Sequence, residues 1–333
     1  MQGESDGRAD GVDLGAHSHG AGGPPRLGWA AGVDGMPGRG AAGAVARAGY
    51  ETALAWELAD ADRPRVRALL HAGEAKLTPE FLQGLPNLGL IAVMTAGYEG
   101  VDVPWCRANG IEVTYAGGVN ADDVADHAMG LLLGAARDMH VQDRIIRDGR
   151  WRIEDRLLPQ PTLTGRKLGI VGLGYIGRAI AERAVPFKLQ VSWWGPRPKA
   201  APWPMAASLL ALARDSDVLM VCCPGGDETR GLVSAAVIEA LGPQGTLVNV
   251  ARGSVVDEDA LIDALKAGRL RRAALDVFET EPTPAERWAD VPGTLLTPHR
   301  AGGTTEGVPN MLALALENVR LFFAGEPVAS PAP

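Results

Sequence analysis

The chain of 333 residues reads as an α/β protein built on a doubly wound parallel sheet with a second, smaller α/β domain. Three observations carry that reading. From Lys167 onward, short apolar runs alternate with amphipathic stretches, the rhythm that yields parallel strands with intervening helices. Lys167–Val171 runs straight into Gly172-Leu173-Gly174-Tyr175-Ile176-Gly177 and then into a helical pattern, giving strand, tight turn and helix. A separate stretch, Val66 to Thr114, carries strand and helix signals of its own.

In chain order, Val66–His71 predicts a strand that ends at Ala72-Gly73. Thr78 caps a helix reaching about Leu85, with Pro79 at the first helical position, where its missing N–H is harmless. Leu88–Met94 predicts a second strand. It stops at Thr95-Ala96-Gly97, small residues that bring backbone amides close to a ligand or simply turn the chain. Asp102–Asn109 predicts a helix and Ile111–Thr114 a strand. Asn120 then caps one long helix to about Asp148-Gly149, with Asp122 and Asp123 favourable in its first turn. Its length predicts a crossing between domains or subunits, and His127 and His140 within it read as structural.

Six strands follow: Lys167–Val171, Leu189–Trp194, Asp217–Cys222, Thr246–Val250, Ala273–Val277 and Leu295–Thr297. Helices lie around Ala207–Ala213, from a Ser234 cap to about Leu241 and from an Asp257 cap to Ala267, and the predicted strand order is 3-2-1-4-5-6. Val308–Ala324 is a final amphipathic helix. Before Val66 no convincing strand is legible, and Arg26–Val33 is a poor candidate. Residues 1–39, rich in glycine and alanine, read as disordered, with His17 and His19 solvated; Pro327–Pro333 reads as a floppy tail.

Composition narrows the classes. At 46% hydrophobic and 22% charged the chain is an ordinary soluble globular protein. A net charge of -8 argues against a nucleic-acid or anionic-membrane partner. No apolar run approaches the roughly 18 residues of a membrane span. Cys106, Cys222 and Cys223 cannot form a disulfide framework; the adjacent pair lies in an apolar run and reads as buried thiols in a reducing cytosol.

The glycine turn has the spacing of a dinucleotide fingerprint. Gly172 permits the tight turn, Gly174 lets backbone approach a pyrophosphate, and Gly177 lets helix and strand pack closely. An NAD-preferring fold carries an acidic residue roughly 20 positions on. Here that place falls near Gly195, with Arg197 and Lys199 following and no carboxylate. Arginine pairs with a 2′-phosphate, so NADPH is the expected cofactor, with NADH possible. Past the ends of the last three strands stand Arg252, Glu281 and His299. That set suits reduction of a 2-oxo acid. The histidine donates a proton, the carboxylate keeps its imidazolium form available, and the arginine holds the substrate carboxylate and polarises the carbonyl.

On these motifs the chain resembles the D-isomer-specific 2-hydroxyacid dehydrogenases, and within them the NADPH-dependent glyoxylate/hydroxypyruvate reductases, from about Val66 to Glu326. The resemblance implies a Rossmann domain at residues 117–300. A flavodoxin-like substrate domain would be formed by residues 40–116 and 301–327, with a tail at 328–333. It implies cofactor contacts at Gly172, Gly174, Tyr175, Ile176, Gly177, Val250, Ala251 and Asp276, the last meeting the nicotinamide carboxamide. It implies substrate-carboxylate amides at Ala96 and Gly97, catalytic roles for Arg252, Glu281 and His299, no metal, and a homodimer. Lys188 departs from it, standing where the family often has glycine. The rival readings are a non-catalytic dinucleotide-sensing protein and an inactive relative; turnover and cofactor binding discriminate them.

Overall fold

The structure, a computed structural model, describes residues 26–30, 50–154 and 159–333 and divides into two units. His17 and His19 lie outside the described residues.

Of the described residues, the first unit takes those within Met1–Met94, Gly100–Tyr115 and Ala315–Pro333. Its strands are β1 (Arg26–Ala30), β2 (Glu51–Leu54), β3 (Val66–His71), β4 (Leu90–Val93) and β5 (Glu112–Thr114), in the order β2-β1-β3-β4-β5. All the pairs are parallel, a flavodoxin-like order. Helix α1 (Pro79–Gln83) is capped by Thr78, whose side chain accepts from the Phe81 amide, and α2 (Val103–Ala108) by Asp102. Two sequence expectations need correction. Two strands precede Val66, where none was convincing: β2, and Arg26–Ala30, which is not part of a disordered segment but, flanked by β2 and β3, is specified by pairing on both edges and not by its own weak pattern. Nor is the C-terminus a floppy tail. Ser330 O accepts from Tyr115 N, Ala332 N donates to Val113 O at 2.8 Å, and Asn318 Oδ1 accepts from Ala329 N, so the last residues line the β5 edge.

The second unit comprises Thr95–Glu99 and Ala116–Leu314. The helix predicted from Asn120 to Asp148 is in fact two, α3 (Ala121–Ala136) and α4 (Met139–Arg147). Asp138 breaks it with left-handed backbone (φ 48°) and directs its carboxylate onto Arg272, with Nε–Oδ1 2.9 Å and Nη2–Oδ2 2.5 Å. Neither Asn120 nor Ser234, both expected to cap a helix, makes a side-chain cap bond.

From there strands and helices alternate: β6 (Lys167–Val171), α5 (Tyr175–Ala184), β7 (Gln190–Trp194), α6 (Leu209–Arg214), β8 (Val218–Val221), α7 (Ala235–Leu241) and β9 (Thr246–Asn249). Then come α8 (Glu258–Lys266), β10 (Arg272–Leu275), α9 (Ala285–Trp288), β11 (Thr294–Leu296) and α10 (Gly307–Ala324), whose residues from Ala315 on belong to the first unit. The sheet runs β11-β10-β9-β8-β6-β7, all parallel. Counted over these six strands the order is 2-1-3-4-5-6, not the predicted 3-2-1-4-5-6. The difference lies in Pro196 to Pro204, whose four prolines lack ladder donors. The edge strand there shrinks to a single parallel bridge, Trp193 to Met205.

Period-two alternation covers both sheet faces. Val218 and Met220 of β8 join the core that holds Leu132, Ile180 and Trp193, while Leu219 and Val221 join the one holding Leu212, Leu247 and Leu261. Strand connections reverse between β6 and β8, and at such a reversal a crevice opens beyond the carboxyl ends of the strands.

Candidate active site

Every residue singled out as a site candidate lies in the second unit. Gly172 follows β6 with φ 96°, a conformation costly for any residue with a side chain. A β-carbon there would lie 2.7 Å from Cys223 Cα, and one on Gly177 would lie 2.1 Å from Gly172 O. The turn therefore has to be glycine at both ends. At Gly174, by contrast, a β-carbon would meet nothing within 4 Å. That open space sits at the N-cap of α5, whose first turn carries Tyr175, Ile176 and Gly177. Free amides and the positive end of the helix dipole meet there, a setting made for phosphate. The residues fit a bound dinucleotide. Cys222 Sγ packs 3.2 Å from Gly172 O, and burial pushes the Cys223 thiol up to about 11; both are unpaired thiols, with Cys223 only partly buried.

Arg197 and Lys199 are exposed on the segment after β7. Lys199 Nζ donates to Leu173 O at 3.0 Å, inside the glycine turn, and Arg178 Nη2 donates to Ala200 O at 2.8 Å. The basic segment is thus tied to the turn that would hold the phosphates.

Val250 and Ala251, at the end of β9, are buried. Asn249 Oδ1 accepts from Ala251 N, and Asn249 Nδ2 donates to Arg252 O, fixing the turn that presents Arg252. Arg252 Nη1 donates to Ala251 O at 2.7 Å. Gly97 stands against its guanidinium, since a β-carbon there would fall 1.9 Å from Nη2. Ala96 precedes it in the same turn, which Thr95 closes by donating from Oγ1 to Gly97 O at 2.8 Å.

After β10 and β11 lies a hydrogen-bonded histidine–carboxylate pair. His299 Nδ1 donates to Glu281 Oε2 at 2.7 Å, and Glu281 Oε1 accepts from Phe278 N at 2.8 Å. Burial raises the Glu281 carboxyl, but the bonds from His299 and Phe278 and the charges of His299 and Arg252 outweigh it and hold the group below its ordinary value. His299 has φ 49°, a left-handed backbone held by the buried Asp276. Asp276 O accepts from His299 N at 2.7 Å. Its Oδ1 accepts from Thr297 Oγ1 and Arg300 N at 2.5 and 2.9 Å, and its Oδ2 from Ala301 N at 2.8 Å.

Two contacts were not foreseen in the sequence. His127, read there as structural, places Nε2 3.0 Å from Thr297 Oγ1 and 3.3 Å from Asp276 Oδ1, and so joins the network that supports His299. Glu99 pairs with Arg252, Oε1 to Nε at 3.4 Å. A lone acid two residues past Gly97 gave no signal of this. Among the described residues no group of His, Cys, Asp and Glu could hold a metal ion, and no helix is long and apolar enough to cross a membrane.

Comparison with known proteins shows the family of the chain. Residues 129–301 match the profile of the D-isomer specific 2-hydroxyacid dehydrogenase NAD binding domain. The chain is 38% identical to hydroxyphenylpyruvate reductase of Plectranthus scutellarioides, over 80% of this chain and 85% of that protein. It is 35% identical to a glyoxylate/hydroxypyruvate reductase of Arabidopsis thaliana, over 80% and 82%. Among solved structures it resembles the NADPH-dependent glyoxylate/hydroxypyruvate reductase of Sinorhizobium meliloti in complex with NADP and malonate. The TM-score is 0.82 at 33% identity, over 92% of this chain and 96% of that one.

Proposed function

Because the chain belongs to the D-isomer-specific 2-hydroxyacid dehydrogenase family, we propose that it reduces a small 2-oxo acid of the glyoxylate or hydroxypyruvate type to the D-2-hydroxy acid, with NADPH preferred. The observation that carries this is the hydrogen-bonded His299–Glu281 pair past β11 and β10, together with Arg252 past the neighbouring β9.

The nicotinamide cofactor, when bound, supplies the hydride. The chain's own residues do the rest. The amides of Ala96 and Gly97 and the guanidinium of Arg252 hold the substrate carboxylate, and Arg252 also polarises the carbonyl. Negative charge that develops on the carbonyl oxygen is met by a proton from His299. With Nδ1 bound to Glu281, the ring delivers it from Nε2, and the Glu281 carboxylate stabilises the imidazolium beforehand. Asp276 reads as the acceptor for the nicotinamide carboxamide. Gly172, Gly174, Tyr175, Ile176, Gly177, Val250 and Ala251 read as the cofactor cradle. Arg197 and Lys199 answer the 2′-phosphate, a reading supported by the tie from Lys199 to the glycine turn. The relative solved with NADP favours the same cofactor. The protein is read as a homodimer of a reducing cytosol.

Oxidation of NADPH and NADH with glyoxylate, hydroxypyruvate, pyruvate and phenylpyruvate tests the proposal. Turnover of at least one short 2-oxo acid with NADPH preferred is the expected result, with His299→Ala lowering kcat by about 100-fold or more. Cofactor binding without turnover would move the assignment to a dinucleotide-sensing protein, and normal turnover by His299→Ala would remove the proton donor.

A further inference from the structure

Glu99 has no role in the reaction as described. It meets Arg252 side-on, with Oε1 3.4 Å from Nε and Oε2 3.4 Å from Nη2, and both side chains are about three-quarters buried, at 23% and 26% exposure. Two glycine backbones close on the pair. A β-carbon on Gly97 would fall 2.7 Å from Glu99 Oε2, and one on Gly225 would fall 2.7 Å from Arg252 Cγ and 3.3 Å from Glu99 Oε1. A carboxylate of the chain's own therefore lies against Gly97 and Arg252, two of the groups assigned above to the carboxylate of the substrate.

We infer that Glu99 is an internal competitor for the substrate carboxylate and so sets the affinity of the site for 2-oxo acids. The inference rests on the reductase reading. Tight charge-assisted bonds to a carboxylate run at roughly 2.7–2.9 Å. At 3.4 Å Glu99 holds the guanidinium loosely, close enough to occupy it and loose enough to yield. A carboxylate that seats on Arg252 at ordinary distance gains more than Glu99 gives up. Apparent affinity is lowered by the fraction of molecules in which the internal pair is closed.

The test uses the full chain with Glu99→Gln and Glu99→Asp. NADPH oxidation is followed with glyoxylate and hydroxypyruvate, and oxalate, a carboxylate that accepts no hydride, is titrated against the enzyme–NADPH complex by fluorescence. Glu99→Gln lowers both KM and the oxalate Kd by about three- to tenfold, while kcat changes less than about threefold. Glu99→Asp, its charge drawn back by one methylene, shows the same effect in smaller measure. An unchanged or raised KM and oxalate Kd overturn the inference and make Glu99 a support for Arg252. If Glu99→Gln no longer binds NADPH, the comparison of Glu99→Asp with the parent decides by the same signs. A parent protein that binds NADPH but reduces neither acid refutes the reductase reading alone, because the oxalate titration needs no turnover and still decides on Glu99.

Discussion

Glu281 shows how one residue's surroundings fix its protonation. Burial alone would raise its carboxyl, but the Nδ1 donor of His299, the Phe278 amide and the charge of Arg252 hold it ionised below the ordinary carboxylate range. A carboxyl depressed in the folded state contributes stability above its unfolded value, near 4.3, and loses it only as pH falls through the lower folded value. The His299–Glu281 pair is accordingly expected to persist through the whole neutral and mildly acid range. Its negative charge also favours the protonated imidazole that reduction requires. Glu281→Gln keeps the shape and removes the charge, so the alkaline limb of the pH profile for reduction should move to lower pH. A limb that stays in place would show that Glu281 only orients the ring. At the same scale, Lys188 explains its own oddity: it has φ 61°, the left-handed backbone that a glycine adopts without strain.

At the scale of elements, the segment from Thr297 to Ala301 is held by Asp276. Four donors converge on this one buried residue, two backbone amides and the Thr297 hydroxyl on its carboxylate and the His299 amide on its carbonyl. In Asp276→Asn, one carboxylate oxygen becomes an NH₂ facing a backbone N–H. A buried donor left without an acceptor costs about 1–3 kcal/mol, and the segment that releases it carries His299. The variant should lose kcat/KM by tenfold or more, and amide hydrogen exchange at residues 297–301 should rise selectively. Unchanged exchange with lost activity would assign Asp276 to the cofactor alone. This network marks the limit of what was legible in the sequence. Gly172, Gly177, Arg252, Glu281 and His299 could be placed just past strand ends because glycine spacing and strand pattern are local features of the sequence. His127 and Glu99 could not, since they meet Thr297 and Arg252 across 170 and 153 positions and each has many bland uses. The break at Asp138 escaped for the same reason, its cause being Arg272 at a separation of 134. Strand β1 has only a weak local pattern and the Met205 bridge none, and both exist through their neighbours.

At the scale of the whole molecule, the surface around α4 is where a second copy is expected. Most side chains of the strands are buried, yet Met139, Ile146, Trp151 and Ile153 are each more than half exposed within fifteen residues of chain. The helix keeps its polar face paired, with Arg147 Nε on Asp143 Oδ2 at 2.7 Å and Arg144 near Asp148. Such ion pairs at i,i+4 add only a few tenths of a kcal/mol, so they do not explain why the apolar residues stand in water. Large apolar side chains exposed this close together in the chain suit a contact with another protein, and the homodimer proposed above would supply one. Light scattering on the eluting protein should give about twice the 34.8 kDa chain mass at micromolar concentration. Ile146→Glu would bury a carboxylate in that contact at a cost of several kcal/mol and should yield a monomer that still binds NADPH. A parent protein of single-chain mass would refute the dimer, and a dimeric Ile146→Glu would move the contact away from α4.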